Sequence, residues 1–287
     1  AQHRRLRPTN VVTTMPNAPA AEIALSLQAK GACLSYACAC ASSAVAIGEA
    51  LLAIRSGRLD VAVVGGSESM LSPGVIASWH AMRVLAAAGS DSASACRPFD
   101  LHRKGFALGE GAAALVLESR SHAQRRAIQP LAILSGYASS SDGVHITNPD
   151  SAGQVRAMRL ALEDSGLQAK DIGYINAHGT ATQAGDLAEA KSICEVFGER
   201  SVPVSSTKAL HGHLLGAGGA VELVLSLQSL ISRRLPLAAH LTHPDPEIRL
   251  SFVDASNRDA PQLKHIMSNA FAFGGTNAVL VASTFTD

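Results

Sequence analysis

Three residues stand where side-chain chemistry and chain geometry coincide. Cys40 lies in Ala37-Cys38-Ala39-Cys40-Ala41-Ser42-Ser43, just ahead of a helical pattern over residues 44–56. A thiol at a helix N-terminus meets unpaired amides and the positive end of the dipole, which favours the nucleophilic thiolate. Small neighbours leave room for a substrate, whereas Cys33, Cys38, Cys96 and Cys194 fit well as small hydrophobes. His178 follows the strand-like Gly173-Tyr174-Ile175-Asn176-Ala177, and His213 closes Lys208-Ala209-Leu210-His211-Gly212-His213 before a long apolar helix. An imidazole at a helix start tends to stay neutral and can donate a hydrogen bond to a developing oxyanion. Ordinary turn positions are the plain alternative for two of eleven histidines.

Other spacings carry less. The C-x4-C-x-C cluster matches no common zinc pattern, and His211 with His213 lacks a third ligand, so no metal is expected. Gly65-Gly66-Ser67-Glu68-Ser69 lacks the closing glycine of a hydrolase nucleophile elbow. Phe271-Ala272-Phe273-Gly274-Gly275-Thr276-Asn277 reads as strand-turn-strand, with glycines that allow amides to approach a bound carbonyl.

The elements that must position these residues alternate between strands and helices, which implies an α/β architecture. Ala44, Ile47, Leu51 and Ile54 recur at helical spacing, and Leu59–Val64 reads as a buried strand ending at Gly65-Gly66. Strands are expected at 112–117, 172–177, 202–205, 266–271 and 277–283, and helices at 153–165 and from Leu214 through Leu230. No short repeat or low-complexity linker divides the 287 residues, so one compact unit is expected.

Composition narrows the functional classes. Hydrophobic residues are 47% and charged residues only 16%, so the chain can bury a large core and is not intrinsically disordered. With 24 basic against 23 acidic residues there is no global electrostatic case for nucleic acid, although Arg4, Arg5 and Arg7 form a local basic cluster. No apolar h-region follows that cluster, so no signal peptide is expected; no uninterrupted apolar run reaches 18 residues, so no membrane span is expected. Five cysteines without a secretory signal argue for a reducing, cytoplasmic home rather than a disulfide framework.

The order of the pieces says more than any one of them. Cys at a helix start is followed by N-A-H-G-T (Asn176–Thr180), K-x-x-x-G-H-L-L-G-A (Lys208–Ala217) and F-x-F-G-G-T-N (Phe271–Asn277). With Arg97-Pro98-Phe99-Asp100 and the Gly105–Gly111 run, these make the chain resemble condensing enzymes of the β-ketoacyl-acyl carrier protein synthase II type, which include polyketide ketosynthases. The resemblance runs from about Arg4 to Val281.

That resemblance implies a thiolase-like, layered αβαβα fold, with residues 1–125 as the remainder of an N-terminal half carrying the nucleophile and 126–287 as the half carrying both histidines. The resemblance further implies an N-terminal segment ahead of Arg4, so the early strands of that half are expected either in a longer chain or on another polypeptide. The resemblance also implies a decarboxylative Claisen condensation in fatty-acid or polyketide elongation. Cys40 would take the acyl group, and His178 and His213 would assist decarboxylation of malonyl-acyl carrier protein and stabilise the enolate. The amides of Cys40 and Phe271 would form the oxyanion hole, with Phe271 as gate. A buried Lys208–Glu222 pair would support the histidines. Thr180 and Thr182 would hold the phosphopantetheine arm, and Trp79 and Phe273 would contact the acyl substrate.

Arg4, Arg5 and Arg83 would dock the acidic acyl carrier protein. No cofactor is implied beyond the phosphopantetheine that arrives on the carrier, and the chain would act as a homodimer or beside a ketosynthase-like subunit. Three departures stand out: His211 replaces a hydroxyl residue, Ala272 replaces a glycine, and Trp79 replaces a smaller aromatic, which points to an altered or shorter acyl cavity. A thiolase would place a second cysteine beyond Cys194, where there is none. The competing class is a non-catalytic, chain-length-factor-like partner that only binds carrier protein; such partners typically lack the nucleophile that Cys40 supplies.

Overall fold

The computed structural model describes residues 7–87 and 92–285, so the docking candidates Arg4 and Arg5 lie outside the described residues. The chain divides into two compact units, Ala1–Ala37 and Cys38–Asp287. Among the described residues the first holds two short helices, α1 (Asn10–Thr13) and α2 (Ala18–Ser26), neither of which buries a residue.

The second unit opens with a 3-10 turn, Ala39–Ala41, that runs directly into α3 (Ser42–Arg55). The apolar spacing read from sequence is the buried face of α3: Ala44, Ile47 and Leu51 are inside. There follow β1 (Val61–Glu68), α4 (Pro73–Ala81), β2 (Gly111–Glu118) and α5 (Arg120–Arg125). Then come β3 (Ile133–Ser141), α6 (Ser151–Ser165), β4 (Tyr174–Asn176), α7 (Gln183–Phe197) and β5 (Pro203–Ser205). The chain continues through α8 (Lys208–His211), α9 (Gly218–Ser232), β6 (Ser251–Phe252), β7 (His265–Phe271) and β8 (Thr276–Ser283).

Among the described residues the strands form two sheets. β1 and β2 pair antiparallel, and the six-stranded sheet has the order β3-β8-β7-β4-β5-β6. In the larger sheet β3, β8 and β7 are antiparallel neighbours, while β7, β4, β5 and β6 run parallel. α3 and α9 contact both sheets and so lie between them; α6 and α7 pack on each other, and α6 packs on β3 and β8. The core of Ile175, Ile193, Met158, Met267, Val204 and Val279 fills the space around the parallel strands. Both faces of those strands are covered, which is why they read as continuous apolar runs rather than alternating ones.

This is the α/β, thiolase-like layering, with α3 and α9 between the two sheets. Strand β1 departs from the expectation of a buried strand over 59–64: it starts at Val61, continues through Gly65-Gly66 to Glu68, and exposes Val61 (42%) and Val63 (45%). Val63 pairs with Val116, itself 61% exposed, so one face of the two-stranded sheet packs on helices and the other lies open.

Three further differences have simple causes. The serine-rich β3 carries no clear alternation and becomes a strand through its pairing with β8, whose residues lie some 140 positions later. α7 was not expected, because its buried stripe includes carboxylates. The expected helix from Leu214 is a 3-10 turn, Leu215–Ala217, running into α9. By length and composition Leu215–Ser232 could cross a membrane, but 56% of it is buried within this unit.

Candidate active site

Cys40 sits mid-way in the 3-10 turn before α3, with only 7% of its surface exposed. The preceding Ala39 adopts φ 47°, a left-handed conformation that costs a non-glycine residue energy and turns the chain sharply into the helix. His213, buried at 2% exposure, places Nε2 3.1 Å from the Cys40 sulfur, although 173 positions separate them in sequence. His178 completes the cluster: its ring centroid lies 5.3 Å from that of His213, at 82°. One donor atom from each of Cys40, His178 and His213 falls within 4.8 Å of the others.

Each group is held by a specific neighbour. The His213 amide donates to Ala107 O at 2.7 Å and its carbonyl accepts from Gly109 N at 3.0 Å, so the Gly105–Gly111 run is the rail on which His213 is fixed. Gly109 is required there: a Cβ would lie 2.3 Å from His211 O. Phe106 presents its ring edge-on to His213, centroids 5.0 Å apart. On the other side, Glu189 accepts from the amides of His178 (2.8 Å) and Gly179 (2.7 Å) and from Asn269 Nδ2 (3.2 Å). Asp186, three residues earlier on α7, accepts from Ala181 N (3.0 Å) and Phe99 N (2.7 Å). Glu189 was missed from sequence. The signal was present, because Asp186, Glu189, Ala190 and Ile193 share one helical stripe, and all four are buried.

Backbone partners settle which nitrogen of His213 carries the proton. Leu215 N–H, an obligate donor, points at Nδ1 from 3.3 Å, so Nδ1 is the acceptor and the proton sits on Nε2. His213 therefore directs an N–H toward the Cys40 sulfur. A ring in this tautomer has no free lone pair there for a metal ion; it is arranged to meet a developing anion. Burial pushes the pKa values of both His178 and His213 well below 6.5, and the Lys208 charge pushes the same way, so both rings are neutral at pH 7.

The expectation of a thiolate favoured by the helix start is not met in the resting site. Burial raises the Cys40 pKa to about 11; Lys208 and the amides of Phe273 and Cys40 pull it only part of the way back, and Glu222 opposes them. The same contacts correct the expected oxyanion amide. It is Phe273 N–H, not that of Phe271, that is directed at the sulfur, because Phe271 still belongs to the β7–β8 ladder opposite Asn277. The Phe271 ring instead lies 6.2 Å from that of His178.

The remaining predicted residues fall as follows. Lys208 Nζ lies 2.5 Å from Glu222 Oε1, both side chains at most 1% exposed. Thr180 and Thr182 join their hydroxyls at 2.9 Å, and Thr182 also caps α7. Trp79 stacks with Phe273 (6.1 Å, 23°) and meets Phe106 edge-on (5.6 Å, 74°). Arg83 is exposed, between Met82 and Val84. Those two, with Trp79, Thr180, Thr182 and the Cys-His-His cluster, line one cavity of about 330 Å³. Among the described residues, the cavity brings together every predicted site residue except Lys208 and Glu222, which are buried, and the exposed Arg83.

Residues 1–123 match the beta-ketoacyl synthase N-terminal domain, and residues 131–242 match its C-terminal domain. The chain belongs to the beta-ketoacyl synthase family. It is 40% identical over 286 residues to 3-oxoacyl-(acyl-carrier-protein) synthase 2 of Staphylococcus aureus, a match covering 98% of this chain and 69% of that protein. Nodulation protein E of Rhizobium meliloti is 42% identical over 271 residues, covering 94% and 66%. Among solved structures, a type II polyketide acyl-carrier protein in complex with its ketosynthase superposes with TM-score 0.94 at 29% identity, covering 98% of this chain and 70% of that one. A beta-ketoacyl synthase from Burkholderia phymatum gives 0.91 at 36% identity, covering 98% and 68%.

Proposed function

We propose that this family member catalyses a decarboxylative Claisen condensation between an acyl-thioester and malonyl-acyl carrier protein, in fatty-acid or polyketide elongation. The observation that carries the reading is the convergence of the Cys40 sulfur with two neutral imidazoles in one cavity. In the first half-reaction the Cys40 thiol displaces the carrier's phosphopantetheine thiol, giving acyl-Cys40 and a free carrier thiol. The Phe273 and Cys40 amides, directed at the resting sulfur, would donate to the acyl oxygen as it gains charge. In the second, malonyl-carrier loses CO2, and the electron pair released forms the enolate whose carbon attacks acyl-Cys40. The sulfur leaves and takes up a proton.

His213 Nε2–H, and the neutral ring of His178 beside it, supply hydrogen bonds to the enolate oxygen. Because the resting thiol keeps its proton, the site needs the His213 N–H to stabilise sulfur as charge develops. Decarboxylation drives the new carbon–carbon bond, so the proposal includes no redox or metal cofactor.

Acyl carrier protein is the proposed partner, with the exposed Arg83 beside the cavity as one contact for its acidic surface. Solved relatives support this, one being a ketosynthase with its carrier protein and another, at TM-score 0.91 and 30% identity, a ketosynthase/chain length factor. A homodimer or a pair with a ketosynthase-like subunit belongs to the same reading, as does a cytoplasmic home for five free thiols. Incubation with an acyl-carrier thioester should add the acyl mass to Cys40, and Cys40→Ala should lose condensation while retaining carrier binding. A folded sample that never acquires the adduct would return the chain to the scaffold class.

A further inference from the structure

His211 is the residue that departs from the hydroxyl expected before Gly212-His213, and its surroundings are specific. Its Nδ1 lies 2.7 Å from Gly212 O and its Nε2 3.1 Å from Thr207 Oγ1. A carbonyl oxygen can only accept, so Nδ1 carries the proton and Nε2 is left as an acceptor for the Thr207 hydroxyl. Thr207 in turn accepts from Asn176 Nδ2 at 3.3 Å, and the same amide donates to Glu222 O (3.1 Å) and Ser226 Oγ (3.2 Å). His211 is thus the outer end of a chain of hydrogen bonds that reaches the backbone of α9.

His211 and His213 therefore hold opposite tautomers, each set by a backbone group: Gly212 O fixes Nδ1–H on the first, Leu215 N–H fixes Nε2–H on the second. The segment between them is short and bent. Gly212 has φ 75°, and its amide closes α8 onto Lys208 O at 2.9 Å. The four residues of α8 carry Lys208 at one end and lead into His213 at the other. A hydroxyl side chain at position 211 is too short to span both Thr207 and Gly212.

We propose that His211 is a positioning residue for His213: bridging Thr207 to Gly212, it clamps the α8 turn at both ends and so fixes the ring that faces the Cys40 sulfur. Its kinetic consequence rests on the condensation reading; the clamp itself does not. Misplacement of a reacting group by about 1 Å costs on the order of a hundredfold in rate, so a partial release costs about tenfold or more.

The test uses the full chain. Nitrogen-15 NMR of the imidazoles should show His211 as the Nδ1–H tautomer and His213 as the Nε2–H tautomer. In His211→Ala the His213 signals should leave that single-tautomer signature, and condensation kcat should fall about tenfold or more with KM unchanged. His211→Asn can keep only the Gly212 bond and His211→Gln only the Thr207 bond, so each should recover part of the loss. A His211 found as Nε2–H, or a folded alanine variant with unaltered His213 signals and kcat, overturns the inference. Should the alanine variant not fold, the wild-type tautomers and the Asn and Gln variants decide. If Cys40 never becomes acylated in the wild type, the condensation reading fails and the NMR comparison still judges the clamp.

Discussion

Replacing Lys208 by methionine removes one half of a fully buried ion pair and leaves Glu222 with no cation. Truncating one partner of such a pair costs about 3–5 kcal/mol. The cost should depend on pH in a particular direction. In the intact protein burial raises Glu222 to about 7 while Lys208 pulls it down, so above pH 7 the carboxyl is ionised in both the folded and unfolded chains. Without Lys208 burial acts alone, and the folded protein keeps the carboxyl protonated well above pH 7, whereas the unfolded chain ionises near about 4.3.

The folded variant then binds a proton that the unfolded chain has lost, so its stability falls as pH rises. The slope is about 1.4 kcal/mol per pH unit. Because the wild-type carboxyl is still half protonated at pH 7, the gap between variant and wild type should widen by about 1 kcal/mol from pH 7 to 8, and by up to about 2.3 kcal/mol by pH 9. Urea unfolding followed by circular dichroism at the three pH values measures it. Adding Glu222→Gln should remove the pH dependence and recover much of the loss, because no buried charge is then left alone. A gap that stays constant from pH 7 to 9, or a double variant as damaged as the sum of the singles, would refute the electrostatic account.

Other perturbations test other parts of the site. Burial lowers His211 to about 4, so the folded ring stays neutral at pH 5 while the unfolded one protonates, and stability is lost as pH falls below about 6.5. His211→Gln should show an acid loss between pH 7 and 5 smaller by about 1–2 kcal/mol, allowing for the ring's partial exposure; an identical loss would contradict this. Gly219→Ala would set a Cβ 2.8 Å from both the backbone nitrogen and the Cβ of Ala44, where α9 crosses α3. The overpacking cost of about 1–3 kcal/mol should exceed the roughly 1 kcal/mol gain in helix propensity, so a net stabilisation on thermal unfolding would be the surprise. Trp79→Ala removes two aromatic contacts at the cavity wall, worth about 0.5–1.5 kcal/mol each. In competition, Cys40 should load longer acyl groups in higher proportion, read by mass spectrometry; an unchanged ratio would separate Trp79 from acyl selection.

Much of the local structure was legible because it follows from local pattern. The apolar spacing of Ala44, Ile47 and Leu51 made α3, and the stripe of Val155, Met158 and Leu162 ending at Gly166 made α6. β7 and β8 were readable as apolar runs around the Gly274-Gly275 turn. β3 was not, since its small, serine-rich residues become a strand only by pairing with β8. Nor was the exposure of β1: sequence shows that valines suit a strand, not which of its faces finds a partner.

Residue types and motif order determined the chemistry on offer: one thiol, two imidazoles and a lysine at element boundaries, and a glutamate within α9. Tertiary structure alone decided how they act. It brought the His213 nitrogen to 3.1 Å from a sulfur 173 positions away, aimed Phe273 N–H rather than Phe271 N–H at that sulfur, and kept the Cys40 proton in place against the pull of the helix. The physical reason is range. Helix and strand preferences are set by neighbours a few residues apart, but desolvation, charge and hydrogen-bond direction depend on whatever the fold packs against a group, and those atoms come from every part of the chain.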